Sequence, residues 1–320
     1  MKEINYPNLK TRNYACNFRN SLLLTVPSVH HHTAFASEVH RICRDPKLRP
    51  NAITVELGHP LVVELVSFLK DLKQGGSEKL YMPCMLGLMK SNRFIDSDHI
   101  HKALMLQKFY RSTLTDLPDD LLSDRLNFSK WLTIFISPAD SIIEAVRCAV
   151  ELDIPVYGID LNDFAHIKKE KMSFEDPQSA HKNMVEYGNR VMKYCDAERD
   201  LRIDNNRETF MVRGLKYCLS KHTKVLFVCG MAHWTNIVSM LKDNLVTAFP
   251  VHEIGCESLY RRVIVHPSLA ATCMEIIPQI TFDYERKRFP VTAVKEKVKI
   301  IRPETQVRNC LDKVYKEVTV

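Results

Sequence analysis

The chain has 320 residues, of which 45% are hydrophobic and 26% charged, and its formal net charge is +7 at pH 7. This composition is typical of a globular protein with a sizeable core and excludes a disordered or fibrous chain. The basic residues form no focused stripe with interleaved aromatic residues, which argues against nucleic-acid binding. No apolar run is as long as a bilayer span and no secretory leader is evident, so we expect no membrane span.

The ten cysteines include no CxxC pair of the kind found in zinc knuckles and redox motifs. Cys148, Cys218 and Cys229 lie inside apolar patterns, where a thiol behaves as a small core residue. Reduced thiols of this kind predict a cytoplasmic protein. The nine glycines form neither a GxGxxG nor a GxxxxGK loop, so nucleotide binding through those loops is unsupported.

Apolar runs of strand type alternate with helical patterns along the first part of the chain. The predicted strands are residues 22–26, 53–57, 79–84, 155–160 and 225–229, and residues 131–136 form a further short apolar run. The predicted helices are residues 33–44, 60–71, 138–152, 205–220 and 234–242, and residues 163–195 are expected to form a polar lid or insert. Ser137 is expected to cap the helix that begins at Pro138. This alternation predicts an α/β fold with a mostly parallel central sheet and helices on both faces.

The pattern changes after residue 245. Short strands are predicted there at residues 246–249, 262–265, 280–282 and 297–301. We therefore predict an α/β domain over residues 1–245 and a C-terminal α+β extension over residues 246–320. The second segment either extends the first domain or begins a further module. The extension is expected to contact a partner protein, or a second copy of the chain in a homo-oligomer.

Two of the predicted parallel strands are each followed closely by a histidine, His30 and His233, and Glu56 closes a third strand. Ligands and reactive groups collect beyond the carboxyl ends of parallel strands, so we expect these side chains to meet over one edge of the sheet. Two imidazoles and a carboxylate can hold a metal ion or serve as an acid/base set. Gly230, between strand and histidine, is expected to permit a positive φ and a close backbone approach.

Further residues are expected to support the same site. Arg207, on a predicted helix, either clamps a substrate carboxylate or oxyanion or forms an internal ion pair. Supporting positions are assigned to His31, His59, Asp140, Asp160 and Glu208. The chain has neither a Gly-x-Ser-x-Gly elbow nor a His-Glu-x-x-His helix, so serine acyl-enzyme and zincin chemistry are unsupported.

Four motifs over residues 20–245 resemble, in their order, the TraB/Tiki/GumN group of the erythromycin-esterase/ChaN-like superfamily. They are Pro27-Ser28-Val29-His30, the strand-end Glu56, Asn206-Arg207-Glu208-x-x-Met211 and Gly230-Met231-Ala232-His233. The last motif matches the GxxH of the group in full, whereas the first has proline in place of its glycine. The helical motif keeps the arginine and the methionine of the group and alters the acidic positions.

The resemblance implies a hydrolase, with two chemistries among the relatives. Tiki-like proteins imply a metal-dependent peptidase in which His30, Glu56 and His233 hold manganese, cobalt or zinc and Arg207 steadies the oxyanion. Erythromycin esterases imply metal-independent ester hydrolysis, with His30 as general base and Glu56 orienting it. ChaN-like relatives imply haem, which is the less expected cofactor. Metal-dependent hydrolysis is the favoured prediction, with a peptide or small molecule as substrate. An inactive scaffold that binds a peptide or partner is a third alternative.

Overall fold

The computed structural model describes residues 15–30, 32–74, 86–90, 133–161, 180, 182–197, 201–243, 245–254, 260–264 and 278–288. The chain divides into two compact units, Met1–Lys287 and Arg288–Val320. Apart from Arg288, every described residue belongs to the first unit. Within these ranges, no helix combines the length and the apolar character that crossing a bilayer requires.

The described part of the chain contains eight strands and seven α-helices. The strands are β1 Ala15–Phe18, β2 Ser21–Ser28, β3 Ala52–Gly58, β4 Leu86–Lys90, β5 Thr133–Ile136, β6 Val156–Asp160, β7 Lys224–Gly230 and β8 Tyr260–Ile264. The helices are α1 Thr33–Arg44, α2 His59–Gln74, α3 Ser141–Leu152, α4 Met184–Ala197, α5 Leu201–Lys221, α6 Met231–Lys242 and α7 Pro278–Arg288. A short 3₁₀ helix spans Val251–Glu253.

Five strands form the central sheet in the order β1-β2-β7-β3-β6. The strands β2, β7, β3 and β6 are parallel, and β1 pairs with β2 in an antiparallel hairpin at the edge. Parallel neighbours require long crossover connections, and here the crossovers contain the helices that cover the sheet. The predicted α/β fold with a mostly parallel central sheet is therefore confirmed.

Helices cover both faces of the central sheet. Because side chains alternate along each strand, neighbouring residues of one strand lie in two different cores. Leu24 of β2 and Val228 of β7 lie in one core, which contains residues of α1, α2, α3 and α4. Leu23 of β2 and Phe227 of β7 lie in a second core, with residues of α5 and α6. Strands covered on both faces need apolar residues at every position, which explains the unbroken apolar runs in the sequence.

A second, antiparallel sheet has the order β5-β4-β8. Its strand β8 confirms the strand predicted at residues 262–265, and it pairs with β4 from the first half of the chain. The division of the chain into residues 1–245 and 246–320 stays a prediction. The strand predicted at residues 79–84 and the one at residues 297–301 lie outside the described residues.

Two other predicted strands after residue 245 are wrong. Residues 246–249 are irregular because their backbone is bound to α5: Phe249 N–H donates to the Arg213 carbonyl at 3.1 Å, and Lys216 Nζ donates to the Val246 carbonyl at 2.8 Å. Residues 280–282 belong to α7, whose first residue is a proline. Thr281, Tyr284 and Glu285 of α7 are buried at helical spacing, which a strand pattern does not produce.

Helix α1 has the predicted bounds, whereas the starts of α3 and α6 require corrections. Helix α3 begins at Ser141, not at Pro138, because the Asp140 carboxylate accepts the backbone N–H groups of Ile142 and Ile143. Asp140, and not Ser137, is therefore its cap. Helix α6 begins at Met231, so His233 lies in its first turn and not in a preceding loop. Helix α4 occupies the end of the predicted lid, most of which lies outside the described residues.

Candidate active site

The carboxyl ends of the parallel strands lie at one edge of the central sheet, and most of the predicted site residues meet there. His30 follows β2, His233 follows β7, Asp160 ends β6, and Arg207 reaches the same place from α5. Glu56 lies where the pairing of β3 with β6 changes register. A bulge of this kind redirects a side chain, and bulges are common beside functional sites.

The buried Glu56 carboxylate is the centre of a charged network that also contains Asp160, Arg207, Glu208 and His233, and that is called the Glu56 group below. Its Oε2 accepts Gly230 N–H at 2.5 Å, its Oε1 accepts Arg207 Nη2 at 2.7 Å, and Oε1 is 3.3 Å from His233 Nε2. Burial raises the pKa of Glu56, but the charges and hydrogen bonds of His233 and Arg207 lower it well below its usual value. Glu56 is therefore a permanent carboxylate that holds three other groups in position.

The guanidinium of Arg207 contacts polar side chains from three different elements, β3, β6 and α6. It binds the Asp160 carboxylate through Nη2 at 2.6 Å and Nε at 3.3 Å, and its Nη1 lies 3.1 Å from His233 Nε2. Burial lowers the pKa of Arg207, but the charges and hydrogen bonds of Glu56 and Asp160 raise it by more, so the side chain stays charged. Of the two predicted roles, the internal ion pair is the one present in this arrangement.

His233 is held from both ring nitrogens. Its Nδ1 lies 2.9 Å from Glu208 Oε1, and Asn236 Nδ2 donates to the other oxygen of Glu208. Burial lowers the pKa of His233, but Glu56 and the hydrogen bond to Glu208 outweigh it and raise the pKa to about 9. When neutral, the ring accepts from Arg207 at Nε2; when protonated, it donates from Nε2 to Glu56. The ring can therefore change its protonation state without losing a partner.

His30 differs from these buried groups because 47% of its side chain is exposed. Its Nδ1 lies 3.5 Å from Asp140 Oδ2, the carboxylate that also caps α3. Desolvation lowers the pKa of His30, but the hydrogen bond and charge of Asp140 and the charge of Glu56 raise it overall. In this arrangement Asp140 faces Nδ1 of the imidazole, whereas the metal-independent alternative gave the orienting role to Glu56.

Gly230 allows the close approach that was predicted but not by a positive φ. Its φ is −62°, an ordinary value for any residue. A Cβ at this position would lie 3.3 Å from Glu56 Oε2 and 3.5 Å from His30 Nε2. The missing side chain thus leaves the space into which the carboxylate and the exposed imidazole both point.

The other predicted residues lie elsewhere or contribute less directly. His59 begins α2, where its Nδ1 accepts Gly158 N–H at 3.2 Å and its ring packs against His252. His31 lies outside the described residues. Cys229 is fully buried, and burial raises the pKa of its thiol well above the usual value, which agrees with its predicted packing role.

Two buried serines and one asparagine support the site and were missed in the sequence. Ser141 Oγ donates to Ser28 Oγ at 2.7 Å, and Ser28 Oγ donates to the Cys229 carbonyl at 3.2 Å, which ties the start of α3 to the ends of β2 and β7. Asn236, which binds Glu208, lies three residues after His233 on the same helix face. That spacing is the one signal that could have found it.

The arrangement of His30, Glu56 and His233 fits a guanidinium better than a metal ion. Arg207 lies within hydrogen-bond distance of both Glu56 Oε1 and His233 Nε2, so a cation already lies against both of these donors. Within the described residues, three donor atoms that could hold a metal lie within 4.8 Å of one another at His40 of α1 and at Glu144 and Cys148 of α3. Comparisons with protein-family models, curated proteins and solved structures find no match to this chain.

Proposed function

We propose that this chain is a metal-independent hydrolase that cleaves an ester, with His30 as the general base. The observation that carries the proposal is the placement of Arg207, which contacts both Glu56 and His233 where the metal-dependent alternative requires an ion. The exposed His30 lies next to this buried, charged group, and its pairing with Asp140 resembles the base–carboxylate pairs of acid/base catalysis.

The proposed step begins at His30 Nε2. This nitrogen takes a proton from a water molecule, and the resulting hydroxide attacks the carbonyl carbon of the substrate. The carbonyl oxygen then develops negative charge, and the amino-terminal end of α6 provides positive potential at the same edge of the sheet. The tetrahedral intermediate then collapses, and the bond between the carbonyl carbon and the alkoxy oxygen breaks. The proton on His30 passes to the leaving alkoxide, so the imidazole ends the cycle neutral.

The resemblance to the esterase members of the superfamily supports the proposal, because these relatives use the two histidines and the glutamate without a metal. A cytoplasmic location is also part of it. The support is that the six described cysteines are buried thiols outside any disulfide: Cys16, Cys43, Cys148, Cys195, Cys218 and Cys229. The metal-dependent peptidase and the inactive scaffold are the outcomes that a test must separate from it.

The test measures hydrolysis of nitrophenyl esters of increasing acyl length by the purified full chain after exhaustive chelation. We expect activity to persist in the chelated protein and to fall at least about 100-fold in kcat/KM in His30→Asn, since a general base contributes this much or more. His222→Gln is the matched control, because His222 precedes β7 at the opposite edge of the sheet.

Three results would contradict the proposal. Activity that chelation removes and manganese, cobalt or zinc restores would favour the metal-dependent hydrolase. A folded protein that cleaves neither esters nor peptides would favour the scaffold. Equal activity in His30→Asn and His222→Gln would remove His30 from the chemistry.

A further inference from the structure

A second polar group lies between α1 and α3, within the core on one face of the central sheet. His40 and Cys43 are three residues apart on α1, and Glu144 and Cys148 are four residues apart on α3. Residues at these spacings lie on the same side of a helix. Where the two helices pack against each other, donor atoms of His40, Glu144 and Cys148 lie within 4.8 Å of one another, and Cys43 lies beside Cys148.

The donor atoms of this α1–α3 cluster are close together. His40 Nδ1 and Cys148 Sγ lie 3.0 Å and 3.1 Å from the same oxygen of Glu144, and the Cys43 thiol is adjacent to that of Cys148. A tetrahedral site with bonds of about 2.1 Å has ligand–ligand edges of about 3.4 Å. The two distances from Glu144 are a few tenths of an ångström shorter than such edges, so small side-chain rotations would open His40, Glu144 and Cys148 to an ion. A rotation of the Cys43 side chain would bring its thiol in as the fourth ligand.

The charges around the cluster also favour a cation. Glu144 and Cys148 are completely buried. Arg147 lies 3.7 Å from Glu144 but is bound by Glu285 through two hydrogen bonds of 2.5 Å and 2.7 Å. One arginine therefore serves two buried carboxylates, and the second positive partner of Glu144 is the His40 imidazole at 3.0 Å, whose proton a bound metal ion would replace.

The ligand set selects the ion. Two sulfur atoms, one imidazole nitrogen and one carboxylate oxygen suit zinc, which prefers four ligands of these types in structural sites. His40 provides access, because 24% of its side chain is exposed and it lines a surface depression with Arg41, Arg44, Asp45, Pro46 and Lys47.

We propose that His40, Cys43, Glu144 and Cys148 form a structural zinc site that fastens α1 to α3. The proposal goes beyond the hydrolase and does not depend on it, since none of these residues belongs to the Glu56 group.

The test uses the full chain, freed of metal by chelation and then supplied with zinc chloride. We expect one zinc per chain after gel filtration, a rise in the unfolding temperature with zinc, and a thiolate-to-metal charge-transfer band when cobalt replaces zinc. His40→Gln and Cys148→Ala should each weaken zinc binding by more than about 100-fold, because even the loss of a group that only orients a ligand costs 10–100-fold.

The controls separate this site from the others. Cys218→Ala removes an equally buried thiol from α5 and should leave zinc binding unchanged. His40→Gln should retain ester hydrolysis, so a failure of the zinc site is distinguishable from a failure of the proposed function. If Cys148→Ala does not fold, His40→Gln alone decides, since its side chain reaches the surface. Binding of less than half an equivalent of zinc, or equal binding by wild type and His40→Gln, would overturn the proposal.

Discussion

His233 and His59 both follow closely on strands of the central sheet, yet their pKa values move in opposite directions. Burial lowers the pKa of each ring. At His233, Glu56 and Glu208 outweigh burial and raise the pKa to about 9. At His59, the neighbouring His252 adds to burial, and the pKa falls to about 4. Carboxylate partners therefore keep the His233 ring charged in spite of burial, whereas burial, with a second histidine as neighbour, keeps the His59 ring neutral.

The surroundings of His233 and His59 also differ in composition, because the first is a network of charged groups and the second a cluster of packed rings. The Glu56 group contains carboxylates, a guanidinium and imidazoles in contact, and two helix starts and four strand ends converge on it. The ring group consists of His59, His252, Tyr157 and Tyr217, whose rings are 4.7–5.4 Å apart in their contacts with His252. The first arrangement stabilises charge and the second excludes it.

The largest expected effect comes from removing the cation of the Glu56 group. Arg207→Met would leave Glu56 and Asp160 buried beside each other, and breaking a buried ion pair in this way costs about 3–5 kcal/mol of unfolding free energy. Urea denaturation measures the loss. The matched control, Arg190→Met on α4, breaks an exposed pair with Glu186 and should change stability by less than about 1 kcal/mol. Similar losses in the two variants would refute the charged-network interpretation.

The next effect concerns the ring group at acid pH. His59 has a folded pKa of about 4 against an ordinary value of 6.5, so the unfolded chain binds the extra proton between these two values. Stability should therefore fall as the pH drops from 6.5 to 4, by at most about 3 kcal/mol for this residue. His59→Asn keeps an acceptor for Gly158 N–H and should flatten this fall in denaturation curves collected across that pH range.

The contrast with His233 provides the check on that prediction. His233 has a raised pKa, so its contribution to stability is complete below pH 6.5 and is lost as the pH rises through about 9. His233→Gln should flatten the alkaline side of the stability profile and leave the acid fall in place. If both variants changed the same side, the assignment of opposite partners would be wrong.

A smaller effect is expected from two glycines that lie near Glu56 and His59. A Cβ on Gly158 would lie 2.6 Å from the Leu57 carbonyl oxygen, and 2.7 Å from the backbone of His59, which cannot move aside easily. Gly158→Ala should thus cost about 1–3 kcal/mol or more. Gly230→Ala meets the Glu56 side chain at 3.3 Å and should cost less stability, but it should lower ester hydrolysis. Paired denaturation and activity measurements test this, and a larger stability loss in Gly230→Ala would contradict it.

The smallest change in stability is expected for Asp140→Asn. Asparagine caps a helix about as well as aspartate, so α3 should keep its start. Because the Asp140 charge raises the pKa of His30, its removal should lower that pKa and move the rising limb of the pH–rate profile to lower pH. A profile that does not move would mean that His30 is not the titrating base.

The sequence predicted the strand-end residues well because their positions depend on the local pattern. An apolar run followed by a histidine or a glutamate identifies the end of a buried parallel strand, and Glu56, His30 and His233 were found in this way. Asp160 was found by the same rule. Since all four strands run in the same direction, the ends of the runs had to lie at one edge of the sheet.

The errors occurred where a distant contact overrides the local pattern. Residues 246–249 have a strand-like sequence, but Lys216 of α5 binds their backbone. Residues 280–282 have apolar and β-branched residues, but they belong to α7, in which Thr281 is buried. The cap of α3 was assigned to Ser137 because serine before proline is a good start signal, whereas the Asp140 carboxylate lies at the residue where the helix begins.

The sequence by itself determined the α/β class, the mostly parallel character of the central sheet and the residues that end its strands, because hydrophobic periodicity depends on near neighbours. Only the tertiary structure decided which groups pair. It joined Arg207 to Glu56 and Asp160, His30 to Asp140, and His40 to Glu144, residues that are 47–151 positions apart in the chain. Charge and pKa depend on distances across the fold, and no local pattern encodes them.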